Sequence, residues 1–200
     1  MTSIKDHPLL EKDPRSQDFK DELAKIFGQI PNDIPIYLFT EKGRENVFSQ
    51  AAERVLQVFQ GLSSKIQFKK YDLGHKLAKK WAVDRSPTVL FAPEHYSIRW
   101  LGAPIGEEGR TLVEAILLIG FGRSSLSDQS LKVMKRIDSP RMIRVFVSTT
   151  CPYCPQQAVN ALKAFSKTLS ILTGRRGGIR AQGAWCKVQG VHLFTLFSIP

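Results

Sequence analysis

Two cysteines separated by two residues, Cys151-Pro152-Tyr153-Cys154, have the residue types and spacing for thiol–disulfide exchange. In that chemistry one thiolate attacks a substrate disulfide and a second thiol resolves the resulting mixed disulfide. The flanks suit it. Met142–Val147 has the β-branched and aromatic content of a short buried strand, and Gln156–Thr168 carries Ala158, Val159, Leu162 and Phe165 at helical spacing. The thiols therefore fall where a strand ends and a helix begins. The first turn of a helix presents unpaired N–H groups and a positive dipole end, which stabilise a thiolate. Cys151, at the tip, is the expected exposed nucleophile with a depressed pKa, and Cys154, one turn further in, the covered resolving thiol. Pro152 fits a helix start without leaving an amide unpaired, and Tyr153 is expected to shape the exposed substrate face.

A metal site competes for the same residues. Cys151, Cys154, Cys186 and His192 form a C-x2-C…C-x5-H set that could hold zinc. Zinc half-sites usually lie in turns of small polar residues, whereas Pro152-Tyr153 between a buried strand and a helix favours redox chemistry, so no metal is expected. His7, His75 and His95 show no ligand spacing, and solvated or capping roles are expected for them.

Cys-Pro-Tyr-Cys after the strand Met142–Val147 resembles glutaredoxins and the two-unit, glutaredoxin-like protein disulfide oxidoreductases, relatives of which form the N-terminal part of flavin-dependent peroxiredoxin reductases. The resemblance covers roughly residues 20–168, is most specific at Cys151–Cys154 and fades after Leu169. It implies an α/β chain of tandem thioredoxin-like folds that reduces or exchanges protein disulfides, with a peroxiredoxin as one candidate substrate. Electrons would come from a separate flavoprotein reductase or a small thiol, because no flavin or nicotinamide fingerprint is present and no bound cofactor is expected.

The 200 residues can form one large or two small domains, and 42% hydrophobic with 24% charged is ordinary globular composition. The N-terminus lacks an apolar signal region, and the longest apolar run, residues 115–122, is too short to span a bilayer. A cytoplasmic protein is expected. Three cysteines, two in the motif, fit a reducing compartment rather than a disulfide framework. The net charge of +11 is lopsided: residues 1–138 hold all 18 acidic residues against 21 Lys and Arg, whereas residues 139–200 hold 8 Lys and Arg and no acid. No nucleic-acid-binding motif accompanies that basic third, so no specific nucleic-acid partner is expected.

In order, residues 1–18 read as a polar leader, overlapping an amphipathic helix at about Ser16–Gln29. A strand Ile34–Phe39, a helix at about Arg44–Leu62, a strand Ile66–Tyr71 and a helix His75–Trp81 follow. Strands Thr88–Phe91 and Tyr96–Leu101 and a helix at about Gly109–Gly120 complete a thioredoxin-like unit over 19–122. The step Ser86-Pro87-Thr88 resembles that family's cis-proline turn. This unit has no cysteine: Glu41-Lys42-Gly43-Arg44 stands where the motif would be. Residues 123–138 read as a partly helical connector.

The second unit, 139–200, repeats the plan at an offset of about 108 residues. The step of 44 residues from Gly43 to Pro87 lands near Thr195 when taken from Cys151, and no proline is there. From about 170 the glycine-rich, acid-free text shows no clear amphipathic helix, so a truncated second unit with a loosely held, degenerate tail is expected. The alternative to an enzyme is then an inactive remnant acting as a docking module.

Overall fold

The computed structural model describes residues 14–43, 47–123, 126–136, 142–148, 151–172 and 192–197. Its twelve elements begin with α1 (Pro14–Phe27), β1 (Ile34–Thr40), α2 (Val47–Leu62), β2 (Ile66–Asp72), α3 (Lys76–Lys80), β3 (Thr88–Phe91), β4 (Ile98–Leu101) and α4 (Glu108–Phe121). After the short α5 (Asp128–Met134) come β5 (Met142–Val147), α6 (Cys154–Leu172) and β6 (His192–Phe197). Residues 14–18 of the expected leader are thus helical, and the connector contains one short helix that Ser127 caps by accepting from the Ser130 N–H.

Alternation along β1 explains its place in the middle of a sheet. Ile34, Ile36 and Leu38 are buried on one face, while Tyr37 and Phe39 meet Tyr71 on the other. β1 pairs in parallel with β2 and antiparallel with β3, and β3 pairs antiparallel with β4. The amphipathic helices α1, α2 and α4 bury Leu23, Phe27, Val55, Leu56, Phe59, Leu112, Ile116 and Ile119 against the first face. α3 covers the second, over Phe39, Ala78, Val83 and Leu90. His75 caps α3, its Nδ1 accepting from the Leu77 N–H at 3.3 Å. The fourth strand starts at Ile98 rather than Tyr96, because the N–H groups of His95 and Tyr96 both turn back to the Ala92 carbonyl.

The second unit repeats this order: β5, helix α6, then β6 antiparallel to β5 as β3 is to β1. β6 lies in the stretch expected to be a loosely held, degenerate tail. It pairs with β4 as well, Ile98 opposite Leu196 and Trp100 opposite Phe194, which makes one six-stranded sheet of order β2-β1-β3-β4-β6-β5. Residues 173–191, where the first unit's plan would place counterparts of β2 and α3, lie outside the described residues, as do residues 1–13. Val147, Ala158, Ala161 and Leu162 belong to the same apolar cluster as the first unit's core, so one core serves both units. Among the described residues no helix is long and apolar enough to cross a membrane.

Gly120 shows how tightly α1, β1 and α4 meet. A Cβ there would lie 2.4 Å from the Cγ2 of Ile30 and 3.0 Å from the Cδ1 of Ile34, both buried side chains. Gly120→Ala is expected to destabilise the fold by about 1–3 kcal/mol through overpacking, read as a lower melting temperature. An unchanged or higher melting temperature would show that Ile30 has room to move.

Candidate active site

β5 delivers the motif at the end of the sheet where its strand stops. The Cys151 N–H reaches back to the Ser148 carbonyl at 3.1 Å, Pro152 and Tyr153 make the exposed turn, and Cys154 opens α6. Apolar Val147, Ala158, Ala161 and Leu162 hold this strand and helix together over the common core. Both cysteines are free thiols and partly exposed.

Their environments differ in the direction exchange chemistry needs. The Cys151 thiol is pulled below its ordinary pKa, first by the Cys154 thiol donating to its sulfur and then by the backbone N–H groups of Tyr153 and Cys154. Cys154 is pushed up, first by burial and then by that same hydrogen bond, whose donor it must remain. Cys151 is therefore the thiol that ionises first. Cys154 keeps its proton.

A third group bears electrostatically on Cys154 from the other unit. Glu108, at the start of α4, is 2% exposed, and its charge would raise the Cys154 pKa further. The Trp100 indole on β4 donates to its Oε2 at 3.0 Å, while Oε1 has no hydrogen-bond partner among the described residues. Burial pushes the carboxyl up to about 8 against the opposing effect of the Trp100 hydrogen bond, so it is mostly protonated at neutral pH. Nothing in the local sequence singles it out. Gly106-Glu107-Glu108 reads as an ordinary acidic helix start, and only the packing of α4 on α6 lets the Glu108 charge bear on Cys154.

Pro87 has a different location. The Ser86–Pro87 bond is cis, and the Ser86 hydroxyl accepts from the Glu41 N–H at 3.0 Å and lies 3.4 Å from that of Ser49. This loop thus belongs to the turn of the cysteine-free unit, and two strands, β4 and β6, separate β3 from β5. Of the zinc set, Cys186 lies outside the described residues, and the backbone of His192 opens β6 opposite Val147. Among the described residues no three His, Cys, Asp or Glu side chains converge on a common point.

No family model and no curated protein matches the sequence. Solved structures do match the fold. A mutant of the alkylhydroperoxide reductase AhpF from Enterococcus faecalis superposes with a TM-score of 0.64 at 23% identity, over 75% of this chain and 73% of that one. The NTD_N/C domain of the same AhpF gives 0.64 at 22%, over 75% and 73%. A protein disulfide oxidoreductase from Aeropyrum pernix gives 0.65 at 25%, over 76% of this chain and 68% of that one. The chain has an α/β architecture of tandem thioredoxin-like folds, similar to those of AhpF and of a protein disulfide oxidoreductase.

Proposed function

We propose that the chain is a thiol–disulfide oxidoreductase that reduces or exchanges protein disulfides through Cys151 and Cys154. The observation that carries this reading is the opposed perturbation of two free thiols at one strand-to-helix turn, the outer pulled down and the inner pushed up. The Cys151 thiolate attacks one sulfur of a substrate disulfide and expels the other as a thiolate, which takes up a proton. Cys154 then loses its proton, to the Glu108 carboxylate in those molecules where that group is ionised and otherwise to water, and attacks the Cys151 sulfur. That step releases the second substrate sulfur as a thiolate, which is protonated in turn, and leaves a Cys151–Cys154 disulfide. Two electrons and two protons from a small thiol or a separate flavoprotein restore the dithiol. The names of the structural neighbours support this reading, and the likeness to AhpF supports a peroxiredoxin among the substrates. Three cysteines, two of them in the motif, suit a reducing, cytoplasmic setting.

Insulin reduction tests the reading. With dithiothreitol as electron source, catalytic amounts of the chain are expected to hasten precipitation of the insulin B chain well beyond the dithiothreitol-only rate. A rate equal to that control would overturn the enzymatic reading and leave a docking module.

A further inference from the structure

Resting on that reading, we infer that Thr111 is a positioning residue for Glu108: its hydroxyl and the unbonded Glu108 oxygen hold one internal water between them, which steadies the carboxylate that accepts the Cys154 proton. Glu108 is 2% exposed and Thr111 1%, and neither Glu108 Oε1 nor Thr111 Oγ1 has a hydrogen-bond partner among the described residues. A threonine inside a helix can satisfy its hydroxyl on the carbonyl four residues back. Thr111 does not use that of Glu107. A buried polar atom left unpaired is costly, and an internal water that bonds two or more such atoms removes the cost.

One water can serve both oxygens. Glu108 and Thr111 stand three residues apart on α4, a spacing that places two side chains on one face with Cβ atoms about 5–6 Å apart. They do not bond each other. The Thr111 side chain leans, as helical side chains do, toward the N-terminal turn that Glu108 opens. Trp100 already occupies Oε2 at 3.0 Å, so the water falls to Oε1. The charged neighbours on α4, Glu107 and Arg110, are exposed, and the rise of the Glu108 carboxyl to about 8 comes from burial against the opposing Trp100 bond. Across the helix contact, Cys154 of α6 is the titratable group on which its charge acts. A hydrogen bond to a charged oxygen is stronger than one to a neutral oxygen, so the water favours the ionised carboxyl and keeps the pKa from climbing further. Through Glu108, Thr111 thereby sets the pH at which Cys154 finds a base.

Thr111→Val keeps the shape and removes the hydroxyl, whereas Thr111→Ser keeps the hydroxyl. In the reduced full chain, the infrared carbonyl band of protonated Glu108, assigned by its loss in Glu108→Gln, is followed against pH. The band is expected to fade with a midpoint near 8 in the wild type and in Thr111→Ser. In Thr111→Val the midpoint should lie about one unit higher or more, because the carboxylate has lost a hydrogen bond. Resolution of the mixed disulfide at pH 8 should then fall about 5-fold or more in the valine variant and recover in the serine variant. At pH 6, where Glu108 is protonated, Thr111→Val should also melt below the wild type. A dry, unpaired hydroxyl predicts the opposite sign, since a methyl group in its place removes an unsatisfied donor. An unchanged midpoint in Thr111→Val, a raised midpoint that serine shares, or a higher melting temperature in Thr111→Val would each overturn the inference. The titration and the melting curves need no turnover, so failure of insulin reduction would overturn the oxidoreductase reading alone.

Discussion

Replacing Cys151 with serine is expected to abolish disulfide reduction and, with it, the rapid alkylation of the reduced chain near pH 6. The Cys151 sulfur is the one with a depressed pKa, so it supplies thiolate at a pH where an ordinary cysteine, with a pKa of about 8.5, supplies almost none. Cys154→Ser should behave differently. The hydroxyl can still donate to the Cys151 sulfur, so fast alkylation persists, but nothing resolves the first adduct and a mixed disulfide accumulates until external thiol releases it. Mass spectrometry of the trapped adduct and the pH dependence of iodoacetamide labelling read both outcomes. Faster labelling of Cys154, or turnover in the Cys151→Ser variant, would reverse the roles given to the two sulfurs.

Glu108→Gln is expected to change both stability and resolution, each with a defined pH dependence. In the unfolded chain this carboxyl ionises near its ordinary value of 4.5, and in the folded chain near 8. Between those values the folded state holds a proton that the unfolded state has lost. Stability therefore falls as pH rises across that window, by up to ~1.4 kcal/mol per pH unit, and this contribution levels off above it. Glutamine still offers an oxygen to the Trp100 indole but cannot ionise, so the variant should melt higher than the wild type at pH 8.5 and lose little relative to it at pH 5. The second effect is kinetic. In the wild type, resolution of the mixed disulfide should speed up as pH rises through about 8, where Glu108 becomes able to accept the Cys154 proton. In the variant that inflection should vanish and resolution should slow by about 100-fold, while alkylation of Cys151 stays fast. A resolution rate with the same inflection in both proteins would remove Glu108 from the proton transfer, whatever the melting curves show.

The parts of this molecule that can be read from its residues are those set by local pattern. β1 and β5 are apolar β-branched runs, α2 and α4 carry clear apolar stripes, and Cys151-Pro152-Tyr153-Cys154 announces its chemistry by spacing. Ser86-Pro87 is legible only through resemblance, since residue type alone does not make a prolyl bond cis. What cannot be read depends on contacts between units. Glu108 is an ordinary first-turn acid until α4 packs on α6 and Trp100 closes over one oxygen. The last strand shows a subtler failure. The 44-residue step points near Thr195, where no proline stands, and the tail from about 170 is expected to be loosely held. The strand is there, with Thr195 inside it between Arg99 of β4 and Arg144 of β5. A proline can open such a strand, but backbone pairing on two sides holds it.

That strand also governs the order in which the molecule can be assembled. β1 through β4 pair over separations that the first unit spans by itself, but β6 joins residues near 98–101 to residues near 193–196, across almost half the chain. Closing so large a loop adds little equilibrium cost, because each doubling of length costs only about 0.6 kcal/mol, yet non-local pairings of this kind form slowly. Until β6 arrives, β4 and β5 both present rows of unpaired backbone groups next to Trp100 and Phe146. During refolding at high concentration those two edges, rather than the thiols, are where one copy of the chain would capture another.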